Sequence, residues 1–158
     1  MLRRLAVSVL VLVLWGCGGN EEEAEELKAY VAKMQQLEQY TRQISDYISR
    51  LDDPSIKITR ADLDTARKLI NDYIAAVEQI GSPEYDDLRR AYNNYLRKIA
   101  QAKDLAVDTG RELKRERGNV AIALRHIEKM TKQHYQSAID LLWTRQRLPG
   151  EMPLKWPE

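Results

Sequence analysis

Along residues 27–51 the chain returns to one side at alternating steps of three and four: Leu27, Tyr30, Met34, Leu37, Thr41, Ile44, Ile48 and Leu51. This is a heptad seam, the spacing of a helix that buries one stripe against other helices. Lysine, glutamine, glutamate and arginine fill most of the remaining positions, so the pattern predicts one amphipathic helix over 21–51. Asp52-Asp53-Pro54 ends it, because proline disfavours helical geometry in the residue before it. Ser55-Ile56-Lys57-Ile58 then reads as a short extended connection.

Thr59 followed by Asp62 has the spacing of a capping box, in which side chains satisfy the first free amides of a helix. It opens a second helix over 61–80 with the seam Leu63, Ala66, Ile70, Tyr73, Val77 and Ile80. Gly81 supplies the stop, and Ser82 with Pro83 reads as the next cap and first turn, which predicts a tight antiparallel hairpin. The third helix carries Tyr85, Leu88, Tyr92, Tyr95, Ile99, Ala102 and Ala106. Between Asp108 and Asn119 the seam can be threaded without interruption, but it would have to include Thr109 and Glu116. Glycine costs about 1 kcal/mol inside a helix, and both Gly110 and Gly118 fall here, so a break near Gly110 is expected. The alternative is a fusion of the last two helices. The fourth helix is expected over 111–145, with Leu113, Val120, Ala123, Ile127, Met130, Ala138 and Leu141 or Leu142 inward.

The expected fold is therefore all-α, an up-down bundle of four long amphipathic helices with coiled-coil-like seams. At about 1.5 Å per residue the second helix spans roughly 29 Å and the fourth roughly 51 Å. The first and last helices should then project beyond the middle hairpin and need a cover. A proline-rich extended tail over 148–158 is one candidate, through Met152, Leu154 and Trp156, and a second copy of the chain is another.

Ahead of the bundle, Arg3 and Arg4 precede an apolar run over 5–15, and Leu14-Trp15-Gly16-Cys17 ends it with the only cysteine of the 158 residues. This segment resembles a bacterial lipoprotein signal peptide with its lipobox. Trp15 stands where the lipobox usually has a small residue. The run is too short for a membrane span, which takes about 20 apolar residues. The resemblance implies cleavage after Gly16, acylation of Cys17 and a bilayer as partner. Domain organisation follows as a signal peptide over 1–16, a lipidated cysteine with a flexible tether over 17–20, a helical bundle over 21–147 and the tail. Location in a bacterial cell envelope is implied, on the periplasmic face of the outer membrane where the host has two membranes. Glu21, Glu22, Glu23, Glu25 and Glu26 follow the anchor and would hold the folded part off anionic lipid while favouring the positive end of a helix.

Loss of Arg3 and Arg4 would take the basic count from 25 to just below the 24 acidic residues, a balance that gives no electrostatic footprint for nucleic acid. No glycine-rich phosphate loop, paired-cysteine zinc motif, haem-attachment motif or nucleophile elbow occurs. Di-iron bundles place glutamate three residues before histidine, whereas Ala123 and Thr131 precede His126 and His134 here. His126, Met130 and His134 recur every four residues and have the donor types that suit copper. Four-residue steps rotate the outer histidines by about 80° on a helix of 3.6 residues per turn, and methionine commonly fills gaps in a seam. The pattern favours structural filler, with no metal and no cofactor.

Eight tyrosines and no phenylalanine make a second oddity. Tyr30, Tyr73, Tyr85, Tyr92 and Tyr95 lie on or beside seams, and a buried tyrosine hydroxyl generally needs a partner. These seams are expected near the bundle edge, as boundary packing or as a wet groove in which Tyr85, Tyr92 and Tyr95 face a partner or ligand. The basic cluster Arg111, Lys114, Arg115 and Arg117, interleaved with Glu112 and Glu116, reads as a solvated turn. Together these readings predict a non-enzymatic envelope lipoprotein with an adaptor, assembly or pilot role, joined to an envelope protein or to itself. The alternative is a ligand-binding or chaperone-like periplasmic module built on the tyrosine-lined groove.

Overall fold

Every regular element among residues 18–152, which the computed structural model describes, is helical. Cys17, Leu154 and Trp156 lie outside those residues. In chain order the elements are α1 (Gly18–Gln35), α2 (Glu38–Asp52), α3 (Arg60–Ile80), α4 (Asp86–Leu105), α5 (Leu113–Gln133), a π-helical turn (His134–Ile139) and α6 (Asp140–Arg145).

The first seam is buried as its spacing requires. Leu27, Tyr30, Met34, Leu37, Thr41, Ile44 and Leu51 are all in the core, with Ile48 half-buried against it. The expected single helix is nevertheless two. At Gln36 and Leu37 the amides bond three residues back, to Lys33 and Met34, tightening the turn and interrupting the i→i−4 ladder. Neither proline nor glycine sits there; the break falls where neighbours change, since α1 lies against α3 and α6 while α2 lies mainly against α5. Gly18, Gly19 and Asn20, expected as tether, are the first turn of α1.

α3 starts as its capping box dictates: the Thr59 hydroxyl accepts from the Asp62 amide at 3.2 Å, and the Asp62 carboxylate accepts from the Thr59 amide at 2.8 Å. Gly81 ends it at φ +82°, a conformation open to glycine without strain. The cap expected from Ser82 and Pro83 does not form, and α4 begins at Asp86. A distant residue replaces it. The Glu26 carboxylate of α1 accepts from the amides of Glu84 and Tyr85, the latter at 2.8 Å, and so closes the start of α4. Side chains that satisfy such amides are worth about 1 kcal/mol; Glu26→Ala should lower stability by that amount in urea unfolding, whereas Glu25→Ala, removing only an exposed pair with Lys28, should be neutral.

The break near Gly110 is present, with Gly110 at φ +66° between α4 and α5, so the fused alternative is excluded. Three inward assignments on the last helix need correction: Leu113 is exposed, and Met130 and Ala138 are only half-buried, while of the pair Leu141 and Leu142 it is Leu142 that points inward. The buried line instead runs Ile127, Thr131, Tyr135, Ile139 and Leu142. Three successive steps of four drift around an α-helix by about 40° each at 3.6 residues per turn. The wider π turn takes up that rotation and keeps Tyr135, Ile139 and Leu142 inward.

The last helix does not project. Its end is tied to the start of α4 by Arg145 and Asp87, and Gln146 donates to Glu23 of α1 at 3.0 Å. Leu148 and Met152 of the expected tail fold back against the core.

Candidate functional site

The tyrosines expected at the bundle edge are in its centre. Tyr73, on α3, Tyr95, on α4, and Thr131, on α5, bring three hydroxyls together at 2.5, 2.9 and 3.0 Å. Each of them can donate once and accept once around that triangle. The buried Tyr135 hydroxyl lies close to this group and interacts with Tyr73 electrostatically. Burial pushes the hydroxyls of Tyr73, Tyr95 and Tyr135 upward, so all three stay protonated. The seams lie inside rather than at the edge because each polar tip meets another tip, and no water is needed to satisfy it.

His134 joins this cluster from the π turn. Its ring is stacked on Tyr95, with centroids 4.3 Å apart and planes 6° from parallel, and its Nε2 is 2.9 Å from the Tyr30 hydroxyl of α1. Burial lowers its pKa from 6.5 to about 3, leaving a neutral imidazole. Tyr30 in turn meets Tyr92 edge-to-face, and Tyr92 donates to the Val77 carbonyl at 3.0 Å. Of the three tyrosines expected to face a partner, Tyr92 and Tyr95 are buried. Tyr85 is half-buried at the far end, 3.3 Å from the Gln146 side chain.

The histidine and methionine ladder is pulled apart. His126 Nε2 lies 2.8 Å from the Lys98 carbonyl and His134 Nε2 is taken by Tyr30, while half-buried Met130 packs against the core. No grouping of three or more histidine, cysteine, aspartate or glutamate side chains suited to a metal occurs among the described residues.

A second polar centre was not foreseen. Glu116, which reads in the sequence as part of a solvated turn, is fully buried at the start of α5. Arg67 of α3 donates to its carboxylate at 2.6 Å, the Thr109 hydroxyl at 2.5 Å and the Thr109 amide at 3.2 Å. The Thr109 hydroxyl, the two loop amides of Thr109 and Arg111, and Arg67 hold the carboxyl below the usual glutamate range. Arg67 also donates to the Ala106 carbonyl at 2.7 Å, so one pair ties α3, the end of α4 and α5 together. Within the basic cluster, Arg117 is not merely solvated: it donates to the carbonyls of Leu51 and Asp53 at 2.8 Å and closes the end of α2. The sequence signal for Glu116 was its position on the seam, where a charged residue needs a fixed partner.

Two surface features remain. One is a groove of about 420 Å³ between α4 and the π turn, floored by Tyr95 and His134. The other is an acidic cluster at one end, where Glu22, Glu23, Glu26, Glu84 and Asp86 gather; the opposite end carries exposed Leu105, Val107 and Leu113 among charges of both signs, Arg111, Lys114 and Arg115 with Asp104, Asp108 and Glu112. No helix among the described residues is long and apolar enough to cross a membrane. No protein-family model, curated protein or solved structure matches the chain.

Proposed function

We propose that this protein is a lipid-anchored lipoprotein of a bacterial cell envelope, a non-enzymatic helical adaptor that holds a second envelope protein. The observation that carries the reading is Leu14-Trp15-Gly16-Cys17 behind Arg3, Arg4 and a short apolar run. Each buried lipid methylene contributes about 0.8 kcal/mol and two chains anchor stably, whereas one surface charge near a bilayer is worth about 1 kcal/mol. The acidic entry end therefore spaces the domain from the bilayer without detaching it.

In this reading the helices form an up-down-up-down bundle of four rods: α1 with α2, α3, α4, and the run from α5 to α6. Support comes from contacts that climb one rod while descending the next. Arg67 and Val77 of α3 meet Ala106 and Tyr92 of α4, while Tyr95 and Lys98 of α4 meet Thr131 and His126 of α5. The anchor then sits at the acidic end, and the opposite end, with exposed Leu105, Val107 and Leu113 among side chains of both charges, is the face offered to the partner.

Intact-mass measurement of the membrane fraction tests the anchor. The wild type should have the mass of residues 17–158 plus lipid, and Cys17→Ala should leave an unlipidated chain that washes off the membrane. An unlipidated wild type would overturn the envelope assignment. A photo-crosslinker at Val107 should trap one discrete envelope protein, and a crosslinker at Asp72 should not. Trapping at neither position would remove the adaptor role while leaving the anchor intact.

A further inference from the structure

The groove between α4 and the π turn does not depend on the anchor, and its construction is specific. Its volume, about 420 Å³, falls within the range of about 300–1,000 Å³ usual for small-ligand sites. Its floor is rigid, because Tyr95 and His134 are stacked on one another and each is tied into the buried hydroxyl network. A π turn is an uncommon element that recurs at functional sites, and this one supplies the groove wall. There the Ser137 hydroxyl donates to the Gln133 carbonyl, supporting the backbone where the helical pairing changes.

The lining divides by chemistry. Ala91 and Ala138 leave room for a flat body, and Met130 offers a polarisable contact for an aromatic ring. Asn94 and Gln133 carry amide donors, and Lys98 brings an ammonium. Among the described residues no carboxylate lies within ion-pair distance of that ammonium, whereas Arg89 and Arg90 of the same helix are paired with Asp86 and Asp87. With the His134 ring neutral, Lys98 is the groove's one cation at neutral pH.

We infer that this groove binds a small organic acid, its carboxylate on Lys98 with Asn94 or Gln133 and its flat apolar body over Met130 and the alanines. Lys98 discriminates by charge and the rigid floor by shape. A cation partly shielded from solvent and flanked by amide donors recognises a carboxylate better than the neutral amide of the same outline.

Titration of the isotope-labelled full chain in detergent solution with sodium benzoate, followed in amide NMR spectra, tests this. Saturable shifts confined to Asn94, Lys98, Gln133 and Ser137 are expected, with a Kd of the order of millimolar for so small a probe. Benzamide should bind about tenfold more weakly, and Lys98→Met should weaken benzoate by the same factor. Lys98 is partly exposed, so this variant should keep the wild-type melting temperature and spectrum outside the groove. Lys103→Met, five residues further along α4 and outside the groove lining, should titrate as wild type. The inference is overturned if benzoate gives no saturable shift, if benzamide binds equally well, or if Lys103→Met weakens binding as much as Lys98→Met does.

Discussion

Replacing Tyr73 by alanine should cost about 3–5 kcal/mol, the range for truncating a large buried aromatic, and should lower Tm by roughly 10 °C or more. Tyr73 is fully buried, and its ring meets Tyr40 edge-to-face at 6.2 Å while its hydroxyl serves Tyr95 and Thr131. Alanine removes packing and hydrogen bonds together, so the conservative variant separates them. Tyr73→Phe keeps the ring and should cost about 1–2 kcal/mol, because Tyr95 and Thr131 each lose one of their two hydroxyl partners. The loss is limited because Tyr95 and Thr131 retain each other at 3.0 Å. Adding Thr131→Val strips that last partner from Tyr95. The double variant should therefore lose about 1 kcal/mol more than the sum of the two single variants. Urea unfolding of the four proteins reads this directly. A strictly additive result would mean that the three hydroxyls do not share one network.

That network shows where the sequence was legible and where it was not. A heptad seam is local, and from Leu27 to Leu51 the inward residues could be read without knowing their neighbours. The Thr59–Asp62 capping box and the Gly110 break are local in the same way. The turn at Gln36 and Leu37 was hidden because the seam continues through it; only the exchange of neighbouring helices marks the site. The π turn was hidden for a related reason: Ile127, Thr131, Tyr135 and Ile139 drift off a seam of ordinary α geometry, so Met130 and Ala138 looked like the inward choice. Long-range partners were invisible altogether. Glu26 closes a helix that starts sixty residues later in the chain, and Glu116 finds Arg67 on another helix. The histidine ladder was legible as a pattern, but its meaning depended on Tyr30, 104 positions away from His134. Tyrosine content was a true signal of polar tips needing partners, and the partners proved to be one another.

His134 makes stability depend on pH between about 3 and 6.5. In the folded protein its pKa is depressed from 6.5 to about 3 by burial, so between those values the unfolded chain binds one proton more than the folded one. Stability must then rise with pH through this window and fall as pH drops below 6.5, by up to about 1.4 kcal/mol per unit. At pH 5 the loss should be about 2 kcal/mol relative to pH 7.5. The carboxyls held low in the fold, Glu116 by Thr109 and neighbouring donors and Asp62 by Thr59, act in the same direction but lower down. Their contribution is present above the ordinary carboxylate pKa and is lost only as pH falls through about 4 and below. Measurements at pH 7.5, 6 and 5 therefore isolate the imidazole. His134→Gln should be less stable than wild type at pH 7.5, having lost the stack on Tyr95, yet should be nearly flat from pH 7.5 to 5. A wild-type protein with no loss between pH 7.5 and 5 would show that protonation does not disturb the buried ring. The π turn would then have to open to solvent without unfolding the helices around it.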